Sequence, residues 1–179
     1  QRRCVYVRLP DPKDKAAVAQ AEAEAKEPME TFMRQDTHWT PEAMRFAAEK
    51  ISAHVKANYP EAIRPRFKEI KAVDSVQRES MGDLVKLLDL ARPAPAFPPE
   101  HVLLKVVGDG TEDRDSPIVL LGDSFVNVFD DPALGFENPA NSMERIRAGF
   151  AQTLALRLQQ PLDVIAINGK GSTGVRKIL

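Results

Sequence analysis

Pro117-Ile118-Val119-Leu120-Leu121-Gly122-Asp123-Ser124-Phe125 decides how this chain is read. Ile118 to Leu121 form an apolar run too short for a helix and without the alternation of a half-solvated strand, so they predict a buried strand of a parallel sheet. Gly122-Asp123-Ser124 ends that strand and places Ser124 past its carboxyl end, where open α/β sheets bind ligands. Downstream, Ser142 to Gln160 predicts an amphipathic helix with Ile146, Phe150, Leu154 and Leu158 on one stripe. Pro161 stops it, and the run Val164 to Ile167 predicts a second strand. Strand, helix, strand is the signature of a parallel βαβ unit. Asn168-Gly169-Lys170-Gly171 then turns into a helical start over Ser172 to Leu179.

Upstream the grammar is helical. Asp14 to Glu27 is rich in Ala, Glu, Lys and Gln with almost no large apolar residue, and reads as an exposed helix ended near Pro28. Thr40 supplies an N-cap and Pro41 a proline at the first helical position, followed by Met44, Ala47, Ala48, Ile51 and Val55 on one face; Tyr59-Pro60 closes this helix. Arg64 to Lys71 alternates charge with Ile and Phe, and Leu84, Leu87 and Leu88 give Met81 to Leu90 helical spacing. Pro93, Pro95, Pro98 and Pro99 break the chain into an extended loop, the one linker-like stretch. Beyond it lie the apolar run Val102 to Val107 and a polar turn at Gly108-Asp109-Gly110.

A length of 179 residues predicts a single α/β domain over 1–179, and the 43% hydrophobic and 28% charged composition is that of a globular chain rather than a disordered tail. The balance of 25 basic against 26 acidic residues leaves no global field to attract nucleic acid or an anionic membrane. One cysteine, Cys4, excludes an intrachain disulfide and any CxxC metal or redox site. No apolar run reaches the ~20 residues of a membrane span. Gln1 in place of a starting Met reads as a processed or trimmed end, and the segment after Gly171 as a helix cut short.

Ser124 needs a base to take its proton and a carboxylate to orient that base. Of the three histidines, His54 and His101 have no acid at useful spacing, whereas His38 lies in Asp36-Thr37-His38-Trp39-Thr40. Residues i and i+2 of an extended chain share a side, so Asp36 is expected to bond one imidazole nitrogen and leave the other for Ser124. Blander readings stand beside these. Gly-Asp-Ser also forms turns and helix caps, and Asp-x-His also forms capped surface turns. A metal at Asp36 and His38 lacks a third ligand at useful local spacing. Trp39 fits a core or rim position as well as a sugar platform, and Arg64, Arg66, Lys68 and Lys71 fit either a solvated face or a contact strip for an anionic polymer. Gly169 to Gly174 matches GxGxxG after a strand, yet lacks the acidic residue ~20 positions on that a dinucleotide requires; the same amides and glycine flexibility suit an oxyanion hole.

Asp36-Thr37-His38-Trp39-Thr40-Pro41, Pro117 to Phe125, and Asn168-Gly169-Lys170-Gly171 before a helix bearing Arg176 together resemble the alginate O-acetyltransferase family, the AlgJ/AlgX type, with its SGNH-hydrolase-like domain. The Asp-x-His block precedes the serine block, as in the circularly permuted branch. The resemblance implies a three-layer fold around a mostly parallel sheet, with Ser124 as nucleophile, His38 as base and Asp36 as its orienter. It implies oxyanion donors at the Ser124 N–H and at Gly169 or Gly171, with Asn168 a further candidate; for an anionic polymer, Trp39, Arg64, Arg66 and Lys68 are the expected substrate contacts. It further implies transfer of acetyl to hydroxyls of an alginate-like exopolysaccharide in the periplasm, a membrane-bound acetyl-donor partner, and no cofactor or metal. Lys170 interrupts the three-glycine run usual in that branch. Two alternatives stay open: a carbohydrate acetylesterase, and a catalytically silent polysaccharide-binding or assembly subunit.

Overall fold

A computed structural model of the chain describes residues 30–64, 68–89, 96–136 and 144–178. The expected helix over Asp14 to Glu27, Cys4, Arg66, Pro93, Pro95 and the expected helix start at Ser142 fall outside these residues. In chain order the elements are α1 (Pro41–Asn58), β1 (Ala72–Ser80), α2 (Asp83–Leu87), β2 (Glu100–Val107), β3 (Val119–Gly122), α3 (Ser124–Asn127), α4 (Phe150–Leu158), β4 (Asp163–Ala166) and α5 (Gly171–Arg176), with 3-10 turns at Pro60–Ala62 and Pro132–Leu134.

The expected βαβ unit is present. β3 and β4 pair in parallel from Val119 opposite Asp163 to Gly122 opposite Ala166, so both carboxyl ends reach the same edge. The Ile167 N–H donates to the Gly122 carbonyl at 3.1 Å and fixes that level. Among the described residues the parallel sheet consists of this pair, extended by a bridge between Glu112 and Leu162. Both strands are half-buried and Leu121 is exposed, less enclosed than the continuous apolar run of β3 predicts, because no further described strand flanks them.

α1 packs against α4, and Ile118, Leu120, Val164 and Ala166 of the strand segments pack against the core the two helices share. The Thr40 hydroxyl caps α1 by accepting from the Ala43 N–H at 3.1 Å, and Pro41 opens the helix. Met44, Ala47, Ala48 and Val55 are buried and join Phe150, Ala151, Leu154 and Leu158 of α4 in one core. Each large side chain so enclosed contributes on the order of 1.5–3 kcal/mol. α4 begins at Phe150, not at Ser142 as the stripe suggested. The reason is Asp130, which captures the N–H groups a longer helix would use: its carbonyl accepts from Ile146 at 3.0 Å and its carboxylate from the Arg147 N–H at 2.8 Å. Arg147 is thereby held at φ 62, outside the helical region.

β1 and β2 form a separate antiparallel pair, Ala72 opposite Val107 to Ser80 opposite Glu100. β2 alternates, with Val102, Leu104 and Val107 buried and Leu103 exposed. β1 had no apolar signal to announce it: most of Ala-Val-Asp-Ser-Val-Gln-Arg-Glu-Ser faces solvent. α2 also departs from its sequence pattern. Leu84, Leu87 and Leu88 are 42%, 76% and 55% exposed, and Val85 is the buried residue. Backbone bonds turn the helix this way, since its first residues are tied to the segment around Gln35 described below.

Candidate active site

Asp36 and His38 lie in a short loop whose ends are joined by a bridge between Phe32 and Trp39. The Met33 N–H donates to the His38 carbonyl at 3.1 Å and the Thr40 N–H to the Thr31 carbonyl at 3.0 Å. Between them the chain bends instead of running extended as expected from the Asp-x-His spacing. The side chains meet because the Asp36 carboxylate folds back onto its own chain, as aspartate does in tight turns. Asp36 Oδ1 accepts from the His38 N–H at 3.0 Å and lies 2.6 Å from His38 Nδ1. Asp36 Oδ2 accepts from the Asp83 N–H at 3.0 Å. Both residues are nearly enclosed, 2% and 5% exposed. Burial pushes the Asp36 carboxyl up, but the His38 ring and the His38 and Asp83 N–H groups outweigh it and hold the pKa below its ordinary value. With an ionised carboxylate on Nδ1, the proton sits there and Nε2 is the free lone pair.

Ser124 is the first residue of α3. Asp123 caps that helix, its carboxylate accepting from the Phe125 N–H at 3.1 Å, so Gly-Asp-Ser is a helix cap and leaves Ser124 half-buried at the strand end. Gly122 is required by packing: a Cβ there would lie 2.2 Å from Val126 Cγ2, where α3 folds back over the strand. The two blocks meet through aromatic rings. Phe125 stands 5.0 Å from the His38 ring and 5.6 Å from Trp39, centroid to centroid. Among the described residues no hydrogen bond joins Ser124 to His38.

The Asn168 to Gly171 turn shares the Ser124 edge, because Gly122 and Ala166 are level in the parallel pair. Gly169 and Gly171 have φ of +71 and +54 with nothing within 4 Å of an added Cβ, so conformation, not space, calls for glycine. The Asn168 amide is engaged on both sides: its Nδ2 donates to Asp131 Oδ2 at 2.9 Å and its Oδ1 accepts from Asn127 Nδ2 at 2.8 Å. It ties the glycine turn to the end of the serine helix.

Residues 11–177 match the family described as SGNH hydrolase-like domain, acetyltransferase AlgX. The chain belongs to this family. Its fold is shared with the O-acetyltransferase domain of Pseudomonas putida AlgJ, at TM-score 0.55 and 20% identity over 89% of this chain and 48% of that one. Pseudomonas aeruginosa AlgX aligns at TM-score 0.53 and 19% identity over 87% of this chain and 36% of that one. The chain thus spans about half the length of the first structure and about a third of the second. No curated protein sequence matches it.

In this AlgX-family domain the remaining expected residues lie apart. Trp39 is half-buried between Phe125 and Phe150, 5.2 Å from the latter ring, and its buried Nε1 has no partner among the described residues. Arg64 is exposed, donates from its guanidinium to the Asp115 carbonyl at 3.1 Å and from its backbone to Gln160 Oε1 at 2.9 Å. Asp115 and Gln160 precede β3 and β4, so Arg64 stands at the amino ends of the strands, opposite Ser124. Lys68 is exposed and Lys71 pairs with Glu69 at 3.1 Å. A cleft of about 540 Å³ along β4, lined by Glu112, Arg114, Val164, Ile165 and Ile178, contains none of Asp36, His38 or Ser124.

Asp83 is the site residue that sequence reasoning missed. It brings a third ligand-type atom within 4.8 Å of those of Asp36 and His38, close enough to hold a cation. Both oxygens of Asp36 already accept N–H bonds, so the cluster is satisfied as a hydrogen-bonded unit. Locally Asp83 reads as an ordinary acid in a first helical turn, and its partner Thr37 is 46 positions away.

Proposed function

We propose that this AlgX-family domain is a polysaccharide O-acetyltransferase that works through Ser124, His38 and Asp36. The observation that carries the reading is the enclosed Asp36–His38 pair at 2.6 Å, whose imidazole packs against Phe125, the residue that follows Ser124. His38 Nε2 takes the Ser124 Oγ proton as the oxygen attacks the donor's acetyl carbonyl, and returns it to the departing donor group, leaving acetyl-Ser124. An acceptor hydroxyl then gives its proton to the same nitrogen, attacks the acetyl carbon and regenerates Ser124. In unliganded sites the nucleophile–base bond is commonly long and tightens with substrate, in keeping with an unbonded Ser124. The Ser124 N–H and the Gly169 or Gly171 N–H are suited to the oxyanion; Asn168, committed to Asp131 and Asn127, supports that turn.

The acceptor is an alginate-like polyuronate in the periplasm, and the acetyl group comes from a membrane-bound partner. Trp39 borders the reacting centre. Arg64 and Lys68, together with Arg66 outside the described residues, would engage the polymer; Arg64 stands at the far end of a strand of about 13 Å from Ser124. The deciding experiment is intact-mass and turnover measurement on the wild type and Ser124→Ala with p-nitrophenyl acetate. An acetyl adduct and turnover that vanish in the variant are expected; equal inertness of two folded proteins overturns the serine mechanism. Net acetylation of an oligouronate in the presence of donor then separates transfer from hydrolysis.

A further inference from the structure

The loop that carries Asp36 and His38 has no helix or strand of its own to hold it, yet its geometry is tightly specified. The Phe32–Trp39 bridge closes its ends and the Glu100 carboxylate accepts from the Arg34 and Gln35 N–H groups at 2.8 and 3.0 Å, but the residues around Asp36 are held by the turn between β1 and α2. Gly82, at φ +74, approaches so closely that a Cβ would lie 1.9 Å from the Gln35 carbonyl oxygen. The Leu84 N–H donates to that carbonyl at 3.1 Å, and the Asp83 N–H to Asp36 Oδ2 at 3.0 Å. The Asp83 carboxylate grips the next residue twice, accepting from the Thr37 N–H at 2.7 Å and from the Thr37 hydroxyl. Its Oδ2 also lies 3.9 Å from His38 Nδ1. A carboxylate at the start of a helix ordinarily serves that helix's own N–H groups. This one bonds Thr37 instead, and α2 has no side-chain cap.

We propose that Asp83 is a positioning residue of the acyl-transfer machinery, holding the Asp36–His38 pair in register through Thr37 and through its own N–H. The role rests on the acyl-transfer reading above, but the geometry it predicts can be read without any turnover. The Asp36 carboxylate is oriented from one side by His38 and from the other by Asp83, and Thr37, between the two catalytic residues, is fixed at its backbone and its hydroxyl by one group. Loosening that grip leaves the chemistry's residues in place and lets them wander, and misplacement of about 1 Å is enough to cost ~100-fold in rate.

The test uses the full chain with Asp83→Ala and Asp83→Asn. Two readouts are taken: kcat and KM for p-nitrophenyl acetate, and the downfield NMR resonance of the His38 Nδ1 proton, assigned by its loss in His38→Gln. Asp83→Ala is expected to lower kcat roughly 10- to 100-fold with KM within about twofold, and to broaden or erase the resonance. Asp83→Asn keeps an oxygen for Thr37 and is expected to recover most of both. An Asp83→Ala protein with wild-type kcat and an intact resonance overturns the proposal. A resonance lost in Asp83→Ala and recovered in Asp83→Asn, in a protein that never turns over the ester, supports the positioning role and counts against acyl transfer. If Asp83→Ala does not fold, Thr37→Val removes the hydroxyl contact alone, and an unchanged resonance and kcat there overturn the proposal equally.

Discussion

Asp36 accepts three N–H bonds with its two oxygens, and this saturation makes it an orienter instead of a reacting group. The triad reading therefore predicts unequal losses. Ser124→Ala and His38→Ala are each expected to remove about 10^6-fold of rate and Asp36→Asn about 10^4-fold, measured as kcat with an activated acetyl ester. The same carboxylate makes stability depend on pH. Its folded pKa is depressed, so the stabilisation is complete above the unfolded value of about 3.9 and is lost as pH falls through the lower folded value. Asp36→Asn should then cost more stability at pH 7 than near pH 3, as urea melts at the two pH values will register. Equal losses at both would place the pair's contribution outside its charge.

At the scale of elements, the residues just ahead of α4, Arg145 to Arg147, are held by buried Asp130. Its carboxylate accepts from Arg145 Nε at 2.6 Å and from the Arg147 N–H at 2.8 Å, and Gln152 Nε2 approaches at 3.3 Å. Burial lowers the Arg145 pKa, but its bonds to Glu112 and Asp130 prevail and raise it. Asp130→Ala takes the acceptor from the Arg147 N–H while Arg145 and Gln152 keep Glu112, and is expected to cost about 1–3 kcal/mol, a fall in Tm of roughly 2–12 °C for a chain of this size by calorimetry. The helix boundary shows why this was hidden from sequence. Ile146, Phe150, Leu154 and Leu158 do form an apolar stripe, and three of the four are in the helix, but a carboxylate elsewhere in the chain decides where the helix begins. α2 makes the same point: Leu84, Leu87 and Leu88 have helical spacing, and contacts to the Gln35 loop turn them outward.

Over the whole molecule, the strand pair sets an axis with the Ser124 and glycine turns at one end and Arg64 at the other. Under the polymer reading, Arg64→Gln combined with Lys68→Gln weakens binding of an oligouronate and flattens its dependence on salt, measurable by titration at two ionic strengths. Undiminished binding would return both residues to a solvated face. Much of this layout was legible from local pattern. The Thr40-Pro41 start of α1, the two strand runs of the parallel unit, the Asp36–His38 pair and the place of Ser124 just past the end of β3 each rest on short local stretches, where propensity, capping and periodicity act. What tertiary structure alone decided involves partners far apart in the chain: β1, which forms because β2 offers it a ladder; Phe125 wedged between His38 and Trp39; Asn168 bound to Asn127 and Asp131; and Asp83 clamped onto Thr37. Hydrogen bonds and ring contacts of this kind leave no periodic trace, because the chain between their partners is free to have any composition, and only the folded packing brings them within reach.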